Sequence, residues 1–427
     1  MNSSVRSVGL IGATSMVVGS MIGSGILIIS SKISLFGGFG LLAWALSSFC
    51  AISLAFSFSV MSRKFSKPGI PYYVYKAFNS HFLGFHTSWA HWLGMVIGCC
   101  TVSIAFSDYL FFMLPDNVAF LKPIASIAII WALTLMSIRS SIFSVGLITL
   151  ITFLKVGILL LLVGSSIKYF SFAKLCISSQ AKDISGNSIS GIASILQAMP
   201  LALFAFLGLE SATASGDSVK NPEKTLPIAT LLGTLIASFV FIAIHISVMS
   251  VLPIEAQIAS KTPVADVANY TMGSFAVILT SFMACFGLIG SINGLVFVSS
   301  YILFSASKMG WISEKMQFLS KKSKFPAVSG LCSALLITVA ILAYNFGVID
   351  MRMLVYIDAF LLIFVYLLGS IAYKIHGGNY FISFINLAAC LVLMYGCGLI
   401  AALSAMFLVS IGSIIFYFRK HSFNNIS

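Results

Sequence analysis

The chain has 427 residues, of which 59% are hydrophobic and 8% charged, with a mean hydropathy of +1.06. Soluble domains carry about 25% charged residues, so a water-soluble fold and a disordered chain are both excluded and an integral membrane protein is expected. The net charge of +13 reads as basic loops between apolar spans rather than as a nucleic-acid surface.

Met1 to Ser7 run straight into an apolar stretch with no cleavable signal pattern, so residues 8–30 are expected to form the first span. Further apolar stretches follow at 38–61, 82–113, 122–138, 142–164, 191–216, 226–252, 274–306, 327–345, 353–372, 380–398 and 400–418. They are continuous rather than alternating, which predicts an all-α membrane protein of about 12 transmembrane helices. With the N-terminus inside, sixteen Lys and Arg fall in inner loops and seven in outer loops, and Lys155 alone sits within a span. An even number of spans then places both termini in the cytoplasm.

Short loops leave no room for a soluble catalytic domain. There is no H-E-x-x-H, G-x-S-x-G or Walker motif, so neither a hydrolase nor an ATP-driven pump is expected. The cysteines form no C-x-x-C pair, and all but Cys176 lie in apolar stretches. No cofactor, metal ion or nucleic-acid partner is implied.

Two spans are interrupted. The first holds Gly19-Ser20-Met21-Ile22-Gly23-Ser24-Gly25-Ile26, a run of small residues that weakens the helix and exposes backbone amides. Read alone, it is equally a close helix contact, since Gly19 and Gly23 form a G-x-x-x-G. The sixth span reads Phe204-Ala205-Phe206-Leu207-Gly208-Leu209-Glu210, with a glycine break beside a carboxylate. Breaks five spans apart point to a transporter built as a 5+5 inverted repeat, with its site where the breaks meet. Repeat one is expected at about 8–164, repeat two at about 191–372, and two extra helices at about 380–418, all in one domain spanning 1–427. A half-helix N-terminus in span one would offer its amides to a substrate carboxylate.

At these residues the sequence resembles the amino acid, polyamine and organocation (APC) transporters. The G-S-M-I-G-S-G-I run is similar to their first-helix signature, and Phe204 to Thr230, with K-N-P-E-K-T-L-P-I-A, is similar to their sixth helix and following loop. Within that superfamily the arginine/agmatine-type antiporters look nearest. The resemblance implies the LeuT-like (APC) fold, with helices 1 and 6 broken. It also implies a substrate site at Ser20, Gly23, Ser24, Gly25, Ile26, His91, Phe204, Gly208, Glu210 and Leu295. Ser24 and Gly25 stand where the carboxylate binds, and Glu210 matches the sixth-helix acid. Ser20 and Cys99 replace asparagines, His91 a tyrosine, and Phe204 and Leu295 tryptophans. Leu295 removes the aromatic face that a guanidinium stacks on, so neutral or smaller side chains are expected over arginine.

Lys155 lies near the middle of span five, where a buried charge reads as functional. It resembles the fifth-helix lysine that replaces an ion in proton-coupled members of the superfamily. Glu210 fits either a proton carrier or a clamp on freed amides, so both are proton-coupling candidates. His86 and His91 read as polar lining residues, and Asp108 and Asp358 as solvated or locally paired acids near the outer ends of their spans.

The expected function is secondary active amino acid transport by alternating access, in the form of proton-coupled uptake. The alternative is exchange of amino acids or amines. A transporter-like sensor is a second class, but it would need a cytoplasmic output domain. The partners are then an amino acid substrate, protons and the lipid bilayer; a homodimer is compatible with this reading. The expected location is a bacterial inner (plasma) membrane.

Overall fold

The computed structural model describes residues 9–23, 25–64, 69–139, 145–176, 179, 181, 188–208 and 219–424. In chain order its main helices are α1 (Leu10–Met21), α2 (Gly25–Ser34), α3 (Phe39–Lys64), α4 (Ile70–Phe78), α5 (His81–Phe112), α6 (Lys122–Arg139), α7 (Val145–Ser166) and α8 (Ile192–Phe204). There follow α9 (Pro222–Val251), α10 (Pro263–Met272), α11 (Ser274–Lys308), α12 (Ala327–Asn345), α13 (Met351–Ile375), α14 (Tyr380–Gly396) and α15 (Leu399–Asn424).

Among the described residues, nine helices are long and apolar enough to cross a membrane. The α1–α2 pair, bent by more than 40° across its short break, makes a tenth. Twelve spans were expected, and the difference has a local cause. α8 has 13 residues and α14 has 17, both short of the roughly 20 that a straight crossing needs. α8 carries Pro200 inside it and tightens at its end. Ala205, Phe206 and Leu207 each donate to the carbonyl three residues back, at 3.1, 2.8 and 3.2 Å, the pattern of a closing helix turn. Gly208 then takes φ +100°, a conformation that other residues avoid. α14 is parted from α15 by Gly398 at φ +80°.

The K-N-P-E-K-T segment is a helix start. Asn221 adopts the left-handed conformation, Pro222 occupies the first helical position, and Glu223 sits in the first turn. The Thr225 hydroxyl donates back to the Lys220 carbonyl at 2.7 Å, which ties the first turn of α9 to the residues just before it.

The chain divides into two compact units. The first gathers 1–63, 104–122 and 144–291, and in it α1 packs against α9 and α7. Its aromatic core is Trp44, Phe206 and Phe241, with ring centroids 5.1–6.4 Å apart. The second gathers 64–103, 123–143 and 292–427, and in it α13 packs against α4, α14 and α15. Indole donors tie this unit together: Trp92 to the Ser333 hydroxyl at 3.0 Å, Trp131 to Thr338 at 3.1 Å, and Trp89 to the Leu408 carbonyl at 3.0 Å.

Candidate functional site

The break between α1 and α2 leaves carbonyls at the end of one half-helix and amides at the start of the other. Lys155 of α7 answers the carbonyls. Its ammonium donates to Ile22 at 2.8 Å and to Gly19 at 3.2 Å, and the residue is 8% exposed. The lysine stem reaches the break along Gly287 of α11, where an added Cβ would come within 2.8 Å of its Cδ. One turn earlier on α7, the Thr152 hydroxyl donates to the Ser15 carbonyl at 3.3 Å.

The second break touches the first. The Ser20 hydroxyl donates to Val17 at 2.8 Å and to the Gly208 carbonyl at 3.2 Å. A Cβ on Gly25 would stand 2.1 Å from the Ala205 Cα, and one on Gly23 would stand 2.0 Å from the Ser291 Oγ. Both readings of the glycine run therefore hold at once: it opens the helix, and it is a close packing contact. The first turn of α2 presents its amides at the positive end of the helix dipole. Tyr109, which the sequence reading did not single out, braces that turn by donating its hydroxyl to Leu27 at 2.9 Å. Beside the break lies a largely apolar cavity whose walls include Gly23, Ile26, Lys155, Val264 and Gly287.

Ser20, Gly23, Gly25, Ile26, Lys155, Phe204 and Gly208 thus belong to the first unit, with Phe204 and Ile26 fully buried. His91, on α5, and Leu295, on α11, belong to the second; His91 is buried and Leu295 half-buried. Ser24 and Glu210 lie outside the described residues. Among the described residues no group of His, Cys, Asp and Glu is arranged to hold a metal ion.

The profile of the amino acid permease family matches residues 8–423. The chain belongs to the amino acid permease family. Its relatives in that family include the cadaverine/lysine antiporter of Escherichia coli K12, 31% identical over 298 residues that cover 68% of this chain and 64% of the antiporter. The putrescine transporter PotE of Haemophilus influenzae is 26% identical over 329 residues, 73% of this chain and 71% of that protein. PotE of Escherichia coli K12 is 26% identical over 316 residues, 72% and 69% of the two chains. The aligned part therefore spans less than two thirds of the cadaverine/lysine antiporter. These relatives carry lysine and amine names, where the sequence reading placed the arginine/agmatine-type antiporters nearest.

Other polar residues of this amino acid permease family member settle into distinct roles. Asp108 is paired locally, as expected, with Lys122 at 2.8 Å. His86 links helices: its ring nitrogens meet the Phe82 carbonyl and the Ser413 hydroxyl, each at 2.8 Å. Of the two readings of Asp358, solvated or locally paired, burial removes the solvated one. The residue is fully buried, 0% exposed, because the face of α13 that carries it meets Gly94 and Gly98 of α5. The sequence signal for this packing is the G-x-x-x-G at 94–98, a small-residue notch of the kind that brings membrane helices close.

Proposed function

We propose that this protein is a secondary active transporter that exchanges cationic amino acids or amines for one another across a bacterial plasma membrane by alternating access. The carrying observation is the junction of the two breaks, where Ser20 meets Gly208 and Lys155 seals the carbonyls of Gly19 and Ile22. Discontinuous helices meeting at a midplane site are how inverted-repeat transporters hold substrate, and family membership supports the LeuT-like 5+5 arrangement. The first amides of α2 suit a carboxylate. Exchange rather than proton-coupled uptake is favoured by the relatives, one of them a cadaverine/lysine antiporter. A primary ammonium also suits this chain better than a guanidinium, because it needs a point counter-charge rather than the flat aromatic face that Leu295 lacks.

The test is counterflow. Liposomes containing the full-length protein and loaded with unlabelled cadaverine should take up labelled lysine several-fold faster than empty ones, without sodium. Equal rates in loaded and empty liposomes would overturn exchange.

The position of the Lys155 amine at the break supports a second reading, uptake driven by protons. In that case empty liposomes with an alkaline interior would accumulate substrate, and loading would make no difference.

A further inference from the structure

Between α11 and α12 the chain folds into a short hairpin. The Ser320 amide donates to the Phe325 carbonyl at 2.8 Å, the Ala327 amide donates to the Phe318 carbonyl at 3.0 Å, and Leu319 bridges Pro326 in antiparallel fashion. The tip, Lys321 to Lys324, is fastened to the end of α6. There the Ile138 carbonyl accepts from the Ser323 hydroxyl at 2.9 Å and also from the Ser320 hydroxyl. Lys321, Lys322 and Lys324 are exposed, as is Arg139, the residue after that carbonyl. None of the three lysines pairs with an acid among the described residues. From Lys308 to Phe325 the chain carries five lysines and one acid, Glu314.

Basic loops suffice to orient a membrane chain however loosely they are held, and two features set this tip apart from such a loop. Lys324 takes φ +60°, a left-handed conformation that costs a residue with a Cβ and that glycine adopts freely. The other non-glycine residues described there are Asn79 and Asn221, of the type that tolerates it. A lysine is thus kept where conformation favours glycine. The tip also borders apolar surface: Leu135 and Met136, near the end of α6, are 43% and 47% exposed, and Phe318, at the base of the hairpin, is 60% exposed. Exposed apolar side chains of a span face acyl chains, so a tip bonded to Ile138 stands at headgroup level.

We propose that this hairpin, together with Arg139, is a docking site for the headgroup of an anionic phospholipid. The lysines and the arginine meet the phosphate, and Phe318 enters the adjoining hydrocarbon. The site lies wholly within the second unit and does not depend on what the protein carries.

The test titrates the full-length protein in neutral detergent with phosphatidylglycerol, phosphatidylcholine or inorganic phosphate, and reads the melting temperature. Phosphatidylglycerol should stabilise at lower concentration than phosphatidylcholine, and phosphate should not stabilise. Lys321→Gln combined with Lys322→Gln should raise the phosphatidylglycerol needed for half the shift at least about tenfold. Lys76→Gln combined with Lys374→Gln removes the same charge from α4 and α13 and should leave that concentration unchanged. Lys324→Gly should melt no lower than the wild type without lipid, yet respond less to phosphatidylglycerol. Equal responses to the two lipids, full stabilisation by phosphate, or equal weakening by the two double variants would each overturn the assignment. So would an unaltered response after loss of Lys321 and Lys322, or a full response in Lys324→Gly.

Discussion

The Lys155 ammonium stands 2.8 Å from the Ile22 carbonyl and 3.2 Å from the Gly19 carbonyl, so one side chain of α7 closes the open end of α1. A charged donor to a backbone carbonyl contributes about 1.5–3 kcal/mol. Lys155→Met keeps the bulk and removes the donor. It is expected to lower the melting temperature in detergent and to cut counterflow at least about tenfold. A variant that exchanges at the wild-type rate, with the wild-type pH dependence, would show that the amine serves neither the break nor coupling.

Gly25 tests packing at the same break. Its missing Cβ would meet the Ala205 Cα at 2.1 Å, so Gly25→Ala should already destabilise, by about 1–3 kcal/mol as overpacked sites do. Gly157 and Gly164 of α7 have nothing within 4 Å of the same atom, and alanine at either should be neutral or slightly stabilising. Melting temperatures of the three variants, measured side by side, check the contrast.

The start of α9 depends on Asn221 at φ 45°. Glycine takes that conformation freely, whereas a β-branched residue does not. Asn221→Gly should therefore keep wild-type stability, and Asn221→Val should lose about 1–2 kcal/mol. Equal melting temperatures for the two would remove the left-handed start from the account.

Asp266, in the first turn of α10 outside the candidate spans, is held above the ordinary carboxylate value by burial, with the Ser260 hydroxyl acting in the opposite direction. A carboxyl raised on folding contributes stability that is complete below its unfolded value and is lost as pH climbs through the folded one. The wild type should therefore lose stability relative to Asp266→Asn as pH rises from about 4 toward neutral. A constant difference between the two across that range would contradict this.

Much of the fold was legible in the sequence because a bilayer imposes one rule: a long apolar run must be a helix. The glycines of span one were legible for a similar reason, since five small residues in mid-span have few uses. Asp358 was not. Its distance from the end of an apolar run suggested a peripheral acid, whereas its burial depends on which face of α13 meets α5, and that is set by glycines more than 250 positions earlier. Gly25 was legible as a helix opener but not as a contact of Ala205, because the partner belongs to a helix that ends by an irregular turn.

The bonds from Trp89 to Leu408 and from His86 to Ser413 join residues 319 and 327 positions apart. At roughly 5–20 residues per second, a ribosome needs on the order of 15–65 seconds to make the acceptors after the donors have emerged. Through that interval the Trp89 indole N–H and one ring nitrogen of His86 lack the partners that α15 supplies, and lipid offers no substitute. α5 can therefore complete these two bonds only once α15 has been made. A nascent chain arrested before α15 would hold α12, α13 and α14 of the second unit and still lack both bonds.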